Sequence, residues 1–307
     1  MQKLKAEIID FCEKRGLVAG FTDASDFDGL KEVLEKTRVP FVSAEASQRI
    51  SPSLCLKNAK SIICLLMGYN KAIPDMNIKR LCKEKRGYIS IAAVGEDYHI
   101  KLKRELDEIC REILKPYGSE GVSFCDTGPL VDRELAVRAG LGYYGRSGAF
   151  INERLGSMCF IGYIITDADI PKDMPENGSC KNCGLCIKAC PTGALSENGF
   201  DYEKCISYLT QKRELTGKEK EMIGISLYGC DKCQLACFYN RGKEKEEARL
   251  EEVYPLLDDI LSLTNSSFKK TYGNTAAGWR GKNALKRNAG IVLENIRKYE
   301  VENGLLE

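Results

Sequence analysis

Two hydrophobic periods alternate along the first half of the chain. Residues 1–16 place Leu4, Ile8, Ile9, Phe11 and Cys12 on one face of a helical period and predict an amphipathic helix. Residues 97–115 repeat the pattern with a stripe of Leu102, Leu106, Ile109, Ile113 and Leu114. Shorter helices are predicted over 26–36 and over 132–139, the latter stopped by Gly140. Between them lie short, unbroken apolar runs. The run Ser61-Ile62-Ile63-Cys64-Leu65-Leu66-Met67-Gly68 is β-branched at its start and closed by glycine, as a buried strand would be. Residues 18–21, 88–94, 122–125 and 160–166 predict further strands. This alternation implies a mixed α/β layer domain with a sheet at its centre.

The pattern changes over 169–178, a linker containing proline and charge, and cysteine then becomes the dominant signal. Cys180, Cys183, Cys186 and Cys190, with Pro191 after the last, follow the C-x2-C-x2-C-x3-C-P spacing of bacterial ferredoxins. In two-cluster ferredoxins the fourth cysteine of such a run ligates the other cluster, so a second set is required. Cys205, Cys230, Cys233 and Cys237 supply it. The spacing assigns Cys180, Cys183, Cys186 and Cys237 to one [4Fe–4S] cluster and Cys190, Cys205, Cys230 and Cys233 to the other. The competing reading is one or two structural zinc sites of four thiolates each. After the cysteines come a predicted charged helix over 244–252, an apolar segment over 256–263 and a final helix over 283–299.

Composition narrows the function classes. The 307 residues carry a formal net charge of +2, which gives no global field for nucleic acid or membrane. No apolar run approaches the roughly 20 residues of a transmembrane helix, and the expectation is a cytoplasmic protein. Seven of the 15 cysteines lie outside the two sets; Cys64, inside its apolar run, is expected to be a small core residue. The single histidine, His99, excludes a histidine-rich metal site. The glycine-rich stretch 139–148 follows a helix rather than a strand. It is therefore no dinucleotide fingerprint, and it reads as a turn-rich connection or a cofactor loop.

Several further stretches share a pattern: Gly95-Glu96-Asp97-Tyr98-His99, Asp126-Thr127-Gly128-Pro129-Leu130-Val131-Asp132-Arg133, Ala139-Gly140-Leu141-Gly142-Tyr143-Tyr144-Gly145-Arg146 and Gly156-Ser157. With Cys205-Ile206-Ser207-Tyr208-Leu209-Thr210, Tyr228-Gly229-Cys230-Asp231-Lys232-Cys233-Gln234 and Arg287-Asn288-Ala289, the chain resembles the epoxyqueuosine reductases over about residues 49–293. The resemblance implies an α+β fold: a nitroreductase-like cobalamin-binding domain over 1–168, a two-cluster ferredoxin-like domain over 169–243 and a C-terminal helical segment over 244–307. It implies reduction of epoxyqueuosine to queuosine in tRNA, with two [4Fe–4S] clusters and cobalamin as cofactors. It also implies a low-potential donor of the flavodoxin or ferredoxin type and a monomeric chain. Asp126 matches the family's proton donor. It stands after a predicted strand, in surroundings expected to be apolar, which would raise its pKa. Arg49 matches an arginine near the cobalamin, Phe150 and Ile161 positions that line the corrin, and Ser207 and Tyr208 positions between clusters and cofactor. His99, a lone histidine at the start of a predicted helix, is expected to be structural, and since the family's cobalamin lacks a histidine lower ligand it is not assigned to cobalt.

The chain departs from the family pattern in three ways. Gly128 and Asp132 stand where alanine and glutamate are usual, the segment before Arg49 lacks a Gly-Met pattern, and the chain reads as a short form without the helical repeat of longer members. Against these, the stretch 269–287 carries Lys269, Lys270, Arg280, Lys282, Lys286 and Arg287 without an acid, interleaved with Tyr272 and Trp279. Basic and aromatic residues together suit contact with single-stranded RNA. The alternatives are a paralogue reducing a small molecule, dehalogenase-like, and a ferredoxin-like electron carrier that binds no cobalamin.

Overall fold

The computed structural model describes residues 1–36, 41–42, 44–244 and 246–304. In chain order the first elements are α1 (Gln2–Lys14), β1 (Val18–Asp23), α2 (Lys31–Lys36), β2 (Ser61–Gly68), α3 (Ile78–Glu84), β3 (Tyr88–Ile89) and α4 (Tyr98–Glu108). There follow β4 (Gly121–Cys125), α5 (Asp132–Arg138), β5 (Tyr143–Tyr144), β6 (Phe150–Ile151) and β7 (Cys159–Thr166). Next come α6 (Leu185–Ala189), β8 (Leu195–Ser196), β9 (Gly199–Phe200), α7 (Ile206–Leu209), α8 (Gly217–Met222), β10 (Ser226–Tyr228) and α9 (Lys232–Leu235). The C-terminal helices are α10 (Leu250–Val253), α11 (Leu257–Leu261), α12 (Asn265–Tyr272) and α13 (Lys282–Glu302).

The chain forms two compact units that interleave in sequence. The first comprises 1–68, 99–145 and 149–181; the second comprises 69–98, 146–148 and 182–307. This differs from the contiguous division expected at residue 168, because the 69–98 segment joins the second unit.

The first unit is built on an antiparallel sheet of order β1-β2-β7-β4. The apolar run of β2 takes a central place, buried at every residue but Gly68. Its register sets Leu66 opposite Ile161 and Gly68 opposite Cys159. Ile62, Cys64, Leu66, Tyr163 and Ile165 form one core with Leu135, Ala136 and Phe150. In α1, Leu4, Ile8, Phe11 and Cys12 are the buried stripe, as the spacing predicts. The 97–115 helix is α4 followed by a π-helical stretch, Ile109–Leu114, and its five apolar positions are all buried. Residues 139–148 form a tight hairpin approach to β5 and β6. Gly140, at φ +70°, ends α5 where a Cβ would lie 2.4 Å from the Met174 carbonyl oxygen, so both conformation and space demand glycine.

In the second unit β3 pairs in parallel with β10, and α13 packs on α11 and β10. Leu285, Ala289, Val292 and Ile296 of α13 join Ile89, Leu227, Leu257 and Ile260 in its core. The predicted strand 88–94 is cut to two residues. Ser90 accepts from the Ala92 amide and turns the chain into a 3-10 turn, Ile91–Ala93. The predicted helix 244–252 is also corrected. Backbone pairing of Ala72 with Glu246 and Ala248 holds its first part extended, and only α10 is helical.

Asp231 explains why 69–98 belongs here. Its buried carboxylate accepts from Tyr88 Oη at 2.5 Å, Ser90 Oγ at 2.8 Å and the Ile91 amide at 2.8 Å. Burial pushes this carboxyl up, and the three hydrogen bonds oppose that shift. Replacing Asp231 with Ala would strand three buried donors. It should lower unfolding stability by about 3 kcal/mol in urea titration, and an unchanged midpoint would contradict this account.

Candidate functional site

In the first unit the charged groups gather at the C-terminal end of β4. Asp126 is the first residue past the strand. Its backbone is left-handed at φ +57°, and the Thr127 amide donates to the Cys125 carbonyl across it at 2.6 Å. The carboxylate is exposed, with 58% of the side chain accessible. His99 Nε2 lies 3.3 Å from Asp126 Oδ2, so the lone histidine, expected to be structural, is at the site.

The buried carboxyl belongs instead to Asp132, the first residue of α5. Its Oδ1 is buried without a hydrogen-bond partner. Burial pushes its pKa well up, the charge of Asp126 adds to this, and Arg133 and Arg49 oppose it. Arg49 is half-buried; burial depresses its pKa and Asp132 favours its charge. Tyr163 Oη accepts from the Leu130 amide at 3.2 Å. A Cβ on Gly128 would lie 2.2 Å from that oxygen, so glycine at this departure from the family pattern is a packing requirement of the loop. Phe150 is buried in the core and Ile161 is half-buried on β7. Sequence reasoning noticed Asp132 only as a departure and assigned His99 no role, because helical period carries no information about a partner 27 residues away.

In the second unit Cys190, Cys205, Cys230 and Cys233 lie near enough to influence one another's charge. Cys205 is raised by burial and by the charge of Cys190, against amides of Tyr208 and Ser207 that face its sulfur. Burial pushes Cys230 up to about 11 and Cys233 up to about 12, with neighbouring Cys205 adding to both and Cys190 to the latter. Cys190 goes the other way. Burial would raise it, but the Leu195, Thr192 and Ala194 amides and the Thr192 hydroxyl together bring it down. Donors aimed at sulfur are what an anionic sulfur ligand requires. Ser207 and Tyr208 lie on α7 and contribute those amides to Cys205; the Tyr208 ring meets Tyr202 edge-on. Of the other set, Cys183 is exposed, Cys186 lies on α6, and Cys237 follows α9, which packs against α6; Cys180 stands near the end of the first unit's last segment. Among the described residues no group of three His, Cys, Asp or Glu is arranged to hold a single metal ion.

The basic stretch divides. Arg287 donates to the carbonyls of Lys212, Arg213 and Thr210, Lys282 to Asn265 Oδ1 and Lys286 to the Leu263 carbonyl. These three support the fold of the unit. Lys269 and Lys270, on α12, are exposed, as is Trp279, over which the Arg280 guanidinium stacks at 4.0 Å.

A mixed helix-and-sheet unit bearing a carboxylate site, with a second unit rich in clustered cysteine, defines the class: an iron–sulfur oxidoreductase. A family model described as 4Fe-4S double cluster binding domain matches residues 179–240, and one described as Epoxyqueuosine reductase QueG, DUF1730 matches residues 49–127. The epoxyqueuosine reductase of Staphylococcus aureus is 37% identical over 97% of this chain and 82% of its own length; that of Bacillus anthracis is 34% identical with the same coverage. The solved epoxyqueuosine reductase from Streptococcus thermophilus superposes with a TM-score of 0.87 at 36% identity, covering 97% of this chain and 83% of that one. An epoxyqueuosine reductase solved with an epoxyqueuosine-modified tRNA-Tyr stem loop gives 0.89 at 32%, covering 96% and 82%. The chain belongs to the epoxyqueuosine reductase family. It carries a double [4Fe–4S] cluster domain. Among the described residues no helix is long and apolar enough to cross a membrane.

The Asp132 carboxyl makes a pH prediction. Its folded-state pKa lies above the unfolded value of about 4, so its contribution to stability is complete below about pH 4 and is lost as pH rises. Asp132→Asn should therefore melt higher than the parent at pH 8, with the gap closing toward pH 4. A gap that widens on acidification would reverse the sign of the shift.

Proposed function

We propose that this protein reduces epoxyqueuosine to queuosine in tRNA. The observation that carries this reading is the whole-chain likeness to a reductase solved with its modified tRNA stem loop. Cys190, Cys205, Cys230 and Cys233 hold one cluster, supported by their mutual electrostatic influence, and Cys180, Cys183, Cys186 and Cys237 hold the other. Electrons enter from a low-potential donor of the flavodoxin or ferredoxin type. The first unit is read as a nitroreductase-like domain that binds cobalamin, in a monomeric, cytoplasmic protein. Bound there, cobalamin would supply a strongly reducing cobalt centre; the hard chemistry is the cofactor's.

The residues present suit a corrin rim. Its amide side chains offer N–H donors, and Asp132 Oδ1 is a buried acceptor without one. Arg49 adds a half-buried cation beside it, while Ile161 and Phe150 supply apolar surface. Ser207 and Tyr208, whose amides face Cys205, are read as lying on the electron path. Asp126 needs no protein enclosure to act: an exposed carboxyl can meet a substrate as large as a tRNA loop, and the bound substrate would exclude water. It protonates the departing oxygen.

Incubating anaerobic protein with epoxyqueuosine-containing tRNA, cobalamin and reductant, then analysing nucleosides, should yield queuosine. Asp126→Asn should retain iron and cobalamin but lose turnover by roughly 10²–10⁴-fold, the usual worth of a general acid. Parental turnover in that variant would remove Asp126 from the role. For tRNA, Lys269→Ala and Lys270→Ala should each lower the slope of log affinity against log salt by about one. The same slope in both variants would move the RNA contact away from α12.

A further inference from the structure

The reaction consumes more protons than Asp126 holds. Turning an epoxide into an alkene, with the oxygen leaving as water, breaks two C–O bonds and takes two electrons and two protons. The donor and clusters supply the electrons. One carboxyl supplies one proton, so a second must arrive within each turnover.

His99 is placed to bring it. Its Nε2 is 3.3 Å from Asp126 Oδ2, and the turn that fixes Asp126, closed from Thr127 to Cys125, directs the carboxylate. The imidazole also borders an open depression of about 510 Å³ along α4, lined further by Lys103, Arg104 and Asp107. One edge therefore meets the carboxylate while the ring remains within reach of solvent, 33% of the side chain being accessible. Imidazole is the side chain suited to exchanging protons near neutral pH, and the chain has no other.

We infer that His99 reprotonates Asp126 during turnover, so that the pair delivers both protons; this rests on the reading of Asp126 as the donor. Asp126 gives its proton to the epoxide oxygen as the first C–O bond breaks. The Nε2 proton of His99 passes to the Asp126 carboxylate, which delivers it as the second C–O bond breaks and water leaves. The neutral imidazole then takes a proton from solvent. His99 acts through Asp126 and touches no substrate.

The test uses full-length anaerobic protein. His99→Gln keeps an N–H for the carboxylate but carries no exchangeable acid; His99→Ala leaves room for added imidazole. Both should keep the parental iron content and KM for the tRNA, with kcat down roughly 10²-fold. Imidazole should restore His99→Ala and leave His99→Gln slow. Parental kcat in His99→Gln, or a His99→Ala defect that imidazole does not relieve, overturns the inference. A second readout needs no turnover. As the sole histidine, His99 gives an unambiguous imidazole proton resonance in NMR. Neutralising its partner in Asp126→Asn should lower the pH midpoint of that resonance, since a nearby carboxylate favours the charged ring while Lys103 and Arg104 remain in place. An unchanged midpoint overturns the pairing. If the parent makes no queuosine, the substrate reading falls, and the resonance still decides whether the two groups act together.

Discussion

The second unit depends on one buried carboxylate. Asp231 stands between Cys230 and Cys233, and a carboxylate there is tolerable only if donors replace the water it gives up. Tyr88, Ser90 and Ile91 provide them, from a segment that the chain lays down long before the cysteines. These three hydrogen bonds tie the cysteine loop to the 88–91 segment. A Cβ on Gly229, just before it, would lie 2.6 Å from the Ser90 Cβ, so the two segments touch at backbone distance. Asn288 of α13 joins two further segments, its amide bridging the Thr210 and Leu227 carbonyls at 2.7 and 2.8 Å. Buried polar groups paired across distant segments thus set the framework around the cysteines.

Within that framework burial and hydrogen bonding act against each other at sulfur. Desolvation raises the thiols of Cys205, Cys230 and Cys233, whereas at Cys190 burial is outweighed by backbone amides and the Thr192 hydroxyl, which lower it. Hydrogen bonds to sulfur and solvent exposure are among the factors that set a cluster's potential. The first unit uses a different device. A rigid antiparallel sheet ends at Cys125, and Asp126 turns out of it in a left-handed conformation, while buried Asp132 and half-buried Arg49 stay behind.

Much of this was legible in the sequence, for a physical reason in each case. The β2 run and the α1 and α4 stripes are strong periodic signals, and they form the elements they predict. The double-cluster cysteine spacing is a covalent requirement of its chemistry and survives any folding context. What failed depends on distant partners. Residues 88–94 have strand composition, yet Ser90 is diverted to Asp231 and the strand stops. Residues 244–252 have helical composition, yet their backbone pairs with Ala72. Lys282, Lys286 and Arg287, read from sequence as a basic run, also hydrogen-bond to Asn265 and to backbone carbonyls of their own unit, contacts that composition does not encode. His99 beside Asp126 was invisible for the same reason: the contact joins a helix start to a strand end.

The central claim is that the chain's double-cluster domain holds two cubane clusters. Iron and inorganic sulfide, measured on protein prepared without oxygen, test it most directly. The account predicts about eight iron and eight sulfide per chain, with both clusters reducible at low potential. Stoichiometric zinc with no sulfide would contradict it.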